Sequence, residues 1–257
     1  MYTELIIRPK SKEDIIFYPD VARAVVAESL DGIDIPPLLF NRDIDGKALQ
    51  GRTSFKGRDH IESNIGHPPA IFFDGGKGFI RIFGLGKPGR ELLHNHCGAI
   101  AQAVGKQTGS PFSTDLKHGT CGISRKGTTL YSIRQLVIEK NPKKANKYIR
   151  VDPISVQEDI QTEIYRGLIA QAQWLDEHNE QGASNLERFI PDIGTLDVDI
   201  ISGESTPIPI KNNILAAGFK QLVFSMNITL TGPWLCGHLK SRGYGHIRPY
   251  INQRSVT

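Results

Sequence analysis

An α+β fold built from two β-α-β-β-α-β units in tandem is what this 257-residue chain predicts. Three observations carry that reading. Strand-like and helix-like runs are mixed along the whole length, the apolar runs around Asp74-Gly75-Gly76 form a hairpin, and the second half repeats the order of the first. Hairpins set among helices argue against a doubly wound parallel sheet.

The elements follow in order. "TELIIRP" reads as a first strand. "YPDVARAVVAESL" reads as a helix, with Pro19 suited to the first helical position and Asp20 in the first turn, where the helix dipole favours an anion. Residues 41–69 are rich in Gly, Pro and charge and read as irregular. "AIFFDGGKGFIRIFG" is the hairpin, "RELLHNHCGAIAQAVG" a helix and "TTLYSIRQLVIEK" a strand. "KNPKKANKYIRVDP" breaks the pattern and reads as a linker, which divides the chain into units 1–150 and 151–257. In the second unit "SVQEDIQTEIYRGLIAQAQWLDEH" places Ile160, Ile164, Leu168 and Leu175 on one helical face, with Ser155 as cap and Glu158 three residues on. "LDVDIISG" and "KQLVFSMNITLTG" read as strands.

Composition narrows the function. Hydrophobic content of 39% with 23% charged residues describes a globular protein rather than a disordered one. The opening "MYTELIIRPKSKED" lacks the apolar stretch of a secretory signal, no run is apolar enough to span a bilayer, and three cysteines give no disulfide framework. A cytoplasmic protein with no membrane partner is expected.

The net charge of +4 hides a strong segregation. Residues 1–116 balance, 117–150 carry nine basic residues against Glu139, and 151–204 carry twelve acids against Arg166 and Arg188. Residues 205–257 hold six basic residues and no acid. Basic blocks separated by an acidic one create local fields that attract a polyanion, although such charges also serve simply to solvate a surface.

Several motifs bear on chemistry. "GLGKPG" (84–89) fits G-x-G-x-x-G after a strand and before a helix, the context of a dinucleotide turn, yet residues 92–114 hold no acid to take the ribose. A nicotinamide oxidoreductase is therefore an alternative, with a plain hairpin-to-helix turn the simpler reading. His94, His96 and Cys97 with His118 and Cys121 offer zinc ligands, but their spacing matches no standard finger. No cofactor or metal is expected. P-loop, G-x-S-x-G and H-E-x-x-H motifs do not occur.

The most informative stretch is "CGHLKSRGYGHIRP" (236–249). Gly237, Gly243 and Gly245 allow the main chain to turn or to approach a neighbour closely, while Lys240 and Arg242 supply charge and Tyr244 a stacking face. That combination is the recipe for cradling a phosphate chain; the simpler reading is a tight basic turn. The stretch resembles the C-terminal glycine-rich loop of the RAMP superfamily, the repeat-associated RNA-binding proteins of CRISPR systems. That loop runs G-h-G, five residues, G-h-G; here Leu235 replaces its first glycine, while Gly237, Gly243 and Gly245 match. Loop position, length and tandem α+β order look like the CRISPR repeat-RNA processing endonucleases of that superfamily, and the N-terminal half looks like a type IV variant.

The resemblance implies two ferredoxin-like (RRM-like) units and a CRISPR repeat RNA as partner, both as hairpin precursor and as mature guide. Other subunits of a CRISPR ribonucleoprotein complex are implied as further partners. It also implies cleavage without metal, by attack of a ribose 2′-OH on its own phosphate, leaving a 2′,3′-cyclic phosphate and a 5′-OH. Its chemistry sits near the first helix and the loop after it, which maps the catalytic role onto Arg23, Arg42 and His60 on one side and Arg242 on the other. Arg23 is a cation on the largely apolar helix "VARAVVAESL"; its alternative is a pairing with Asp20. RNA contacts are expected at Gly237, His238, Lys240, Gly243, Tyr244, Gly245, His246 and Arg248, and at the basic Arg125, Lys126, Lys143 and Lys144. A non-catalytic RAMP subunit that binds the same RNA is the alternative within the family.

Overall fold

Strand β1 (Tyr2–Pro9) has Leu5 and Ile7 on one face, as its alternation requires, and becomes an inner strand with partners on both sides. In this computed structural model, which describes residues 1–10, 14–49, 52–56, 62–109, 111–124, 127–178, 196–211 and 214–251, α1 (Pro19–Ser29) follows. Pro19 opens it, and Ala22 and Val26 face inward. A 3-10 turn, Pro37–Phe40, leads to the hairpin β2 (Arg52–Lys56) and β3 (Glu62–Gly66), which lies inside the stretch expected to be irregular. Strands β4 (Ile71–Gly76) and β5 (Phe79–Leu85) pair as expected and feed α2 (Gly86–Thr108), which Gly109 ends in the left-handed conformation. Strand β6 (Phe112–Gly119) closes the sheet, whose order is β4-β5-β1-β6 and whose pairs are all antiparallel.

Antiparallel pairing decides the fate of "GLGKPG". A dinucleotide turn leads through its helix to an adjacent parallel strand, whereas here α2 leads to β6, which is separated from β5 by the antiparallel β1, and the glycines are taken up by the protein itself. A Cβ on Gly84 would lie 2.2 Å from the Gly89 carbonyl, and one on Gly89 would lie 2.2 Å from the Ala70 carbonyl. The motif is the hairpin-to-helix turn.

The second unit begins earlier than the expected boundary at 150. After β7 (Gly122–Ser124), strand β8 (Thr129–Glu139) already lies in the second sheet. The segment read as a linker is instead a compact connection: α3 (Pro142–Ala145), capped by the Asn141 side chain, then turns at Asn146–Tyr148 and Pro153–Val156. Helix α4 (Gln157–Glu177) buries Ile160, Ile164, Leu168 and Leu175, the face predicted from spacing. The cap differs. Asp152 caps the Pro153–Val156 turn, so Ser155 sits inside it and its hydroxyl donates back to the Asp152 carbonyl at 2.7 Å.

Strands β9 (Val198–Lys211) and β10 (Ile214–Met226) form the second hairpin. Then come β11 (Thr229–Thr231), which pairs with β7, β12 (Trp234–Leu235) and β13 (His246–Pro249). The second sheet runs β12-β13-β8-β10-β9. In both sheets the first strand of a unit lies between its last strand and the second strand of its hairpin, so the α+β architecture is a tandem of ferredoxin-like units. In the second unit, β11, β12 and the turn 236–245 occupy the chain position of a second helix.

The two sheets share a core. Ile71 and Phe73 of β4 pack under α1 and α2, while Phe72 joins Phe83 and the second unit's Tyr131, Leu136 and Trp234. Because β4 is covered on both faces, its apolar run is unbroken rather than alternating. Phe72 and Phe83 stack with centroids 4.6 Å apart, and truncating either would cost about 3–5 kcal/mol. Among the described residues no helix is long and apolar enough to cross a membrane.

Candidate functional site

The glycines at 237–245 do approach something closely, and it is the protein's own backbone. All three have positive φ, 68° at Gly237, 86° at Gly243 and 75° at Gly245. A Cβ would meet the Val137 carbonyl at 2.7 Å from Gly237, the Phe73 carbonyl at 1.9 Å from Gly243 and the Cys236 carbonyl at 1.8 Å from Gly245. Hydrogen bonds pin the turn to β8: His238 N donates to the Val137 carbonyl and Gly245 N to that of Gln135. The turn is thus fastened to β8 and seated on β4, and it raises a single 3-10 turn, Lys240–Arg242, between the two units.

Arg242 there lies within electrostatic reach of Arg23 on the first unit, as does Arg42. Arg23 is half-buried on α1, its guanidinium lies 5.4 Å from the Phe40 ring centroid, and among the described residues its Nε has no hydrogen-bond partner. Burial lowers its pKa first, and then the nearby charges of Arg242 and Arg42. Arg42 follows the Pro37–Phe40 turn, is exposed, and donates to the Gly46 carbonyl at 3.1 Å. Three elements distant in sequence bring three like charges together. An unsatisfied buried polar group costs about 1–3 kcal/mol and is more costly when charged, so this site favours an anion with several acceptor oxygens.

A different arrangement lies across the sheets. His246 of β13 is buried edge-on against Phe72 and Phe83, with ring centroids 5.3 Å away in each case. Its Nδ1 is 3.0 Å from Oδ2 of Asp74 on β4; Arg248 pairs with the other Asp74 oxygen, which also accepts from Gly75 N at 2.7 Å. These partners overcome burial and hold Asp74 down to about 2. Burial lowers the His246 pKa, although Asp74 opposes that shift.

On the other side of the Lys240–Arg242 turn, a groove of about 650 Å³ separates the units. Lys240 lines it, donating to the Gly66 carbonyl at 2.9 Å, and its pKa is pushed down to about 8 by burial. His238 beside it is lowered to about 4, by burial and then by Lys140.

The comparisons can now be set beside this geometry. A family model described as type IV CRISPR-associated endonuclease Csf5 matches residues 5–251. The chain belongs to that family. A solved structure described as Csf5, a CRISPR-Cas type IV Cas6 crRNA endonuclease, aligns with a TM-score of 0.62 at 20% identity, covering 97% of this chain and 99% of that one. A Cas6b crystal structure aligns at 0.57 and 16% identity over 97% of this chain and 100% of that one. Another, described as the CRISPR RNA processing endoribonuclease Cas6b, aligns at 0.55 and 14% identity with the same coverages of 97% and 100%. At these identities the structures speak for the fold. No curated protein matches the sequence.

Against the sequence expectations, the family's fold brings Arg23, Arg42 and Arg242 together and leaves other residues elsewhere. His60, Arg125 and Lys126 lie outside the described residues. Lys143 and Lys144 are exposed on α3. Tyr244, expected to stack on a base, is buried with Val137, Ile208 and Ala216, because the positive φ of its flanking glycines turns the ring inward. His246 and Arg248, expected to face RNA, are instead occupied by Asp74. Gly237, Gly243 and Gly245 each pack against the protein's own backbone. The zinc ligands do not assemble either: His118 bonds to Thr3, burial pushes the Cys121 thiol up to about 12, and no cluster among the described residues could hold a metal ion. Sequence reading missed Glu163 and Arg166, which line the groove. They carry the ordinary i,i+3 spacing of a solvated helix face.

Proposed function

We propose that this chain matures CRISPR RNA: it binds repeat RNA within a precursor transcript in the cytoplasm and cuts it by attack of a ribose 2′-OH on the adjacent phosphate. The observation that carries this reading is the convergence of Arg23, Arg42 and Arg242 at the junction of the two units. In-line attack builds a phosphorane with extra negative charge on its non-bridging oxygens. Guanidinium groups fixed in advance around it stabilise that charge more than the ground state, which is the condition for catalysis. Arginine remains protonated and presents paired donors, so the cluster supplies as protein charge what a metal ion supplies elsewhere. The half-buried Arg23, with its unsatisfied Nε, is the donor with most to gain from a phosphate oxygen. The Lys240–Arg242 turn approaches from the opposite unit, so RNA would lie across the junction.

The test is incubation of the purified chain with synthetic repeat RNA in excess chelator. Expected are one cut, a 2′,3′-cyclic phosphate on the upstream product, and no cut when the nucleotide before the scissile phosphate is 2′-deoxy. Cleavage that needs added divalent metal would overturn the metal-free mechanism. RNA bound tightly and left whole would make the chain a non-catalytic RAMP subunit.

A further inference from the structure

The groove beside the arginines is a built site that phosphate binding alone does not explain. One wall comes from the first unit, with Leu38, Pro68 and Pro69; the other comes from α4 and the start of the Lys240–Arg242 turn. Its volume of about 650 Å³ lies within the range of small-molecule sites, and apolar walls with a few convergent polar groups are what such sites have in common. It shares its rim with the arginine cluster: Asn41, next to Arg42, and Ser241, next to Arg242, both line it. A nucleotide adjoining a phosphate held by the arginines would therefore reach it.

The Lys, Arg and Glu side chains of the lining carry both signs of charge. Lys140 is exposed at the rim, and Lys240 and Arg166 add positive charge. Among them stands a carboxyl, Glu163, mostly buried and 3.1 Å from Arg166. A carboxyl repels phosphate, but it accepts hydrogen bonds from the amino-bearing edge of a nucleobase, as in carboxylate contacts to cytosine N4. In an A-form RNA duplex the amino groups of adenine and cytosine face a deep, narrow groove that a side chain cannot read, so the ligand is an unpaired base. The proline and leucine wall offers the base an apolar face.

We propose that the groove takes one unpaired nucleotide of the RNA, adjacent to the phosphate at the arginines, with Glu163 reading an amino-bearing base and Lys140 holding the neighbouring phosphate. This rests on the RNA reading given above. It makes the groove a specificity site for adenine, cytosine or guanine over uracil.

The experiment measures binding of the full chain to a set of synthetic repeat RNAs in which each unpaired position in turn is abasic or uridine. One position should lose about tenfold in affinity on either change. At that position the Glu163→Ala chain should already bind the intact RNA about tenfold more weakly and lose less than twofold more on base removal. Lys140→Ala, at an exposed residue, should reduce the salt slope by about 0.7 for every RNA in the set. Tight, Arg23-dependent RNA binding with no position coupled to Glu163, or an unchanged slope with Lys140→Ala, would overturn the groove proposal and leave the RNA reading standing. Failure to bind any RNA would overturn both.

Discussion

Asp74, His246 and Arg248 form one polar cluster of this molecule, and Arg23, Arg42 and Arg242 form another. The first contains both signs of charge, and its Asp74 oxygens are each engaged. It ties β4 of one sheet to β13 of the other, and it needs nothing from outside. The second is made of three arginines from the same two units, and among the described residues Arg23 Nε has no hydrogen-bond partner. The difference separates a polar group kept for structure from one kept for a ligand. Closure of charge and hydrogen bonding marks the former; a half-buried donor left unsatisfied marks the latter.

Substitutions can break or sharpen that contrast. The largest expected effect is on stability: Asp74→Ala leaves His246 and Arg248 buried without their partner and should cost about 3–5 kcal/mol, read from urea unfolding. Because the folded Asp74 pKa lies below its ordinary 3.8, at about 2, its stabilisation is present above pH 4 and is lost as the pH falls toward 2. That acid-side loss, about 2 kcal/mol, should be absent from the variant. Cleavage per folded molecule should stay within a few-fold of the parent, and a loss as large as that of an arginine variant would erase the distinction between the clusters.

Arg242→Ala should behave in the opposite way. Single-turnover cleavage of repeat RNA should fall about 10²–10³-fold, in line with removal of one pre-organised donor to a developing negative charge, with little change in the unfolding midpoint. Arg23→Ala should do the same, and equal losses in binding and cleavage would make these arginines binding residues only.

A third effect is smaller. His238 is lowered to about 4, so the unfolded chain takes up its proton first, and stability should decline as the pH drops from about 6.5 toward 4. Allowing for its partial exposure, about 1 kcal/mol is expected, and His238→Gln should remove it from the difference between urea midpoints at pH 7.5 and 4.5. The smallest is Arg42→Ala. This exposed arginine should reduce the slope of log affinity against log salt by about 0.7 if it touches phosphate. No change in slope would confine the phosphate site to Arg23 and Arg242.

Much of the fold was legible in the sequence, because β1, α1, the 70–84 hairpin, β8 and α4 announce themselves through period and punctuation. Strand β6 did not, since it is an edge strand with most side chains exposed and no alternation to read. The β2–β3 hairpin was hidden among glycines and charges. The unit boundary was misread because a polar, proline-containing connection looks the same within a unit as between units. Of the site, Arg23 stood out as a cation on an apolar helix. Tyr244 and His246 did not reveal their burial, for the groups that bury them belong to strands far away in sequence: Asp74 is 172 residues from His246. Glu163 was lost in an acidic block, where its charge reads as one more solvated helix face.

The seating of Gly243 on the Phe73 carbonyl has a consequence for the order of events during synthesis. Domains fold from the N-terminal side as the chain emerges, so Arg23 and Arg42 are in place while the segment bearing Arg242 has yet to be translated. A chain stalled before the 236–245 turn would hold two of the three arginines on a half-covered sheet. On the reading proposed above, the third arginine joins the other two only once the segment bearing Arg242 docks against β4 and β8.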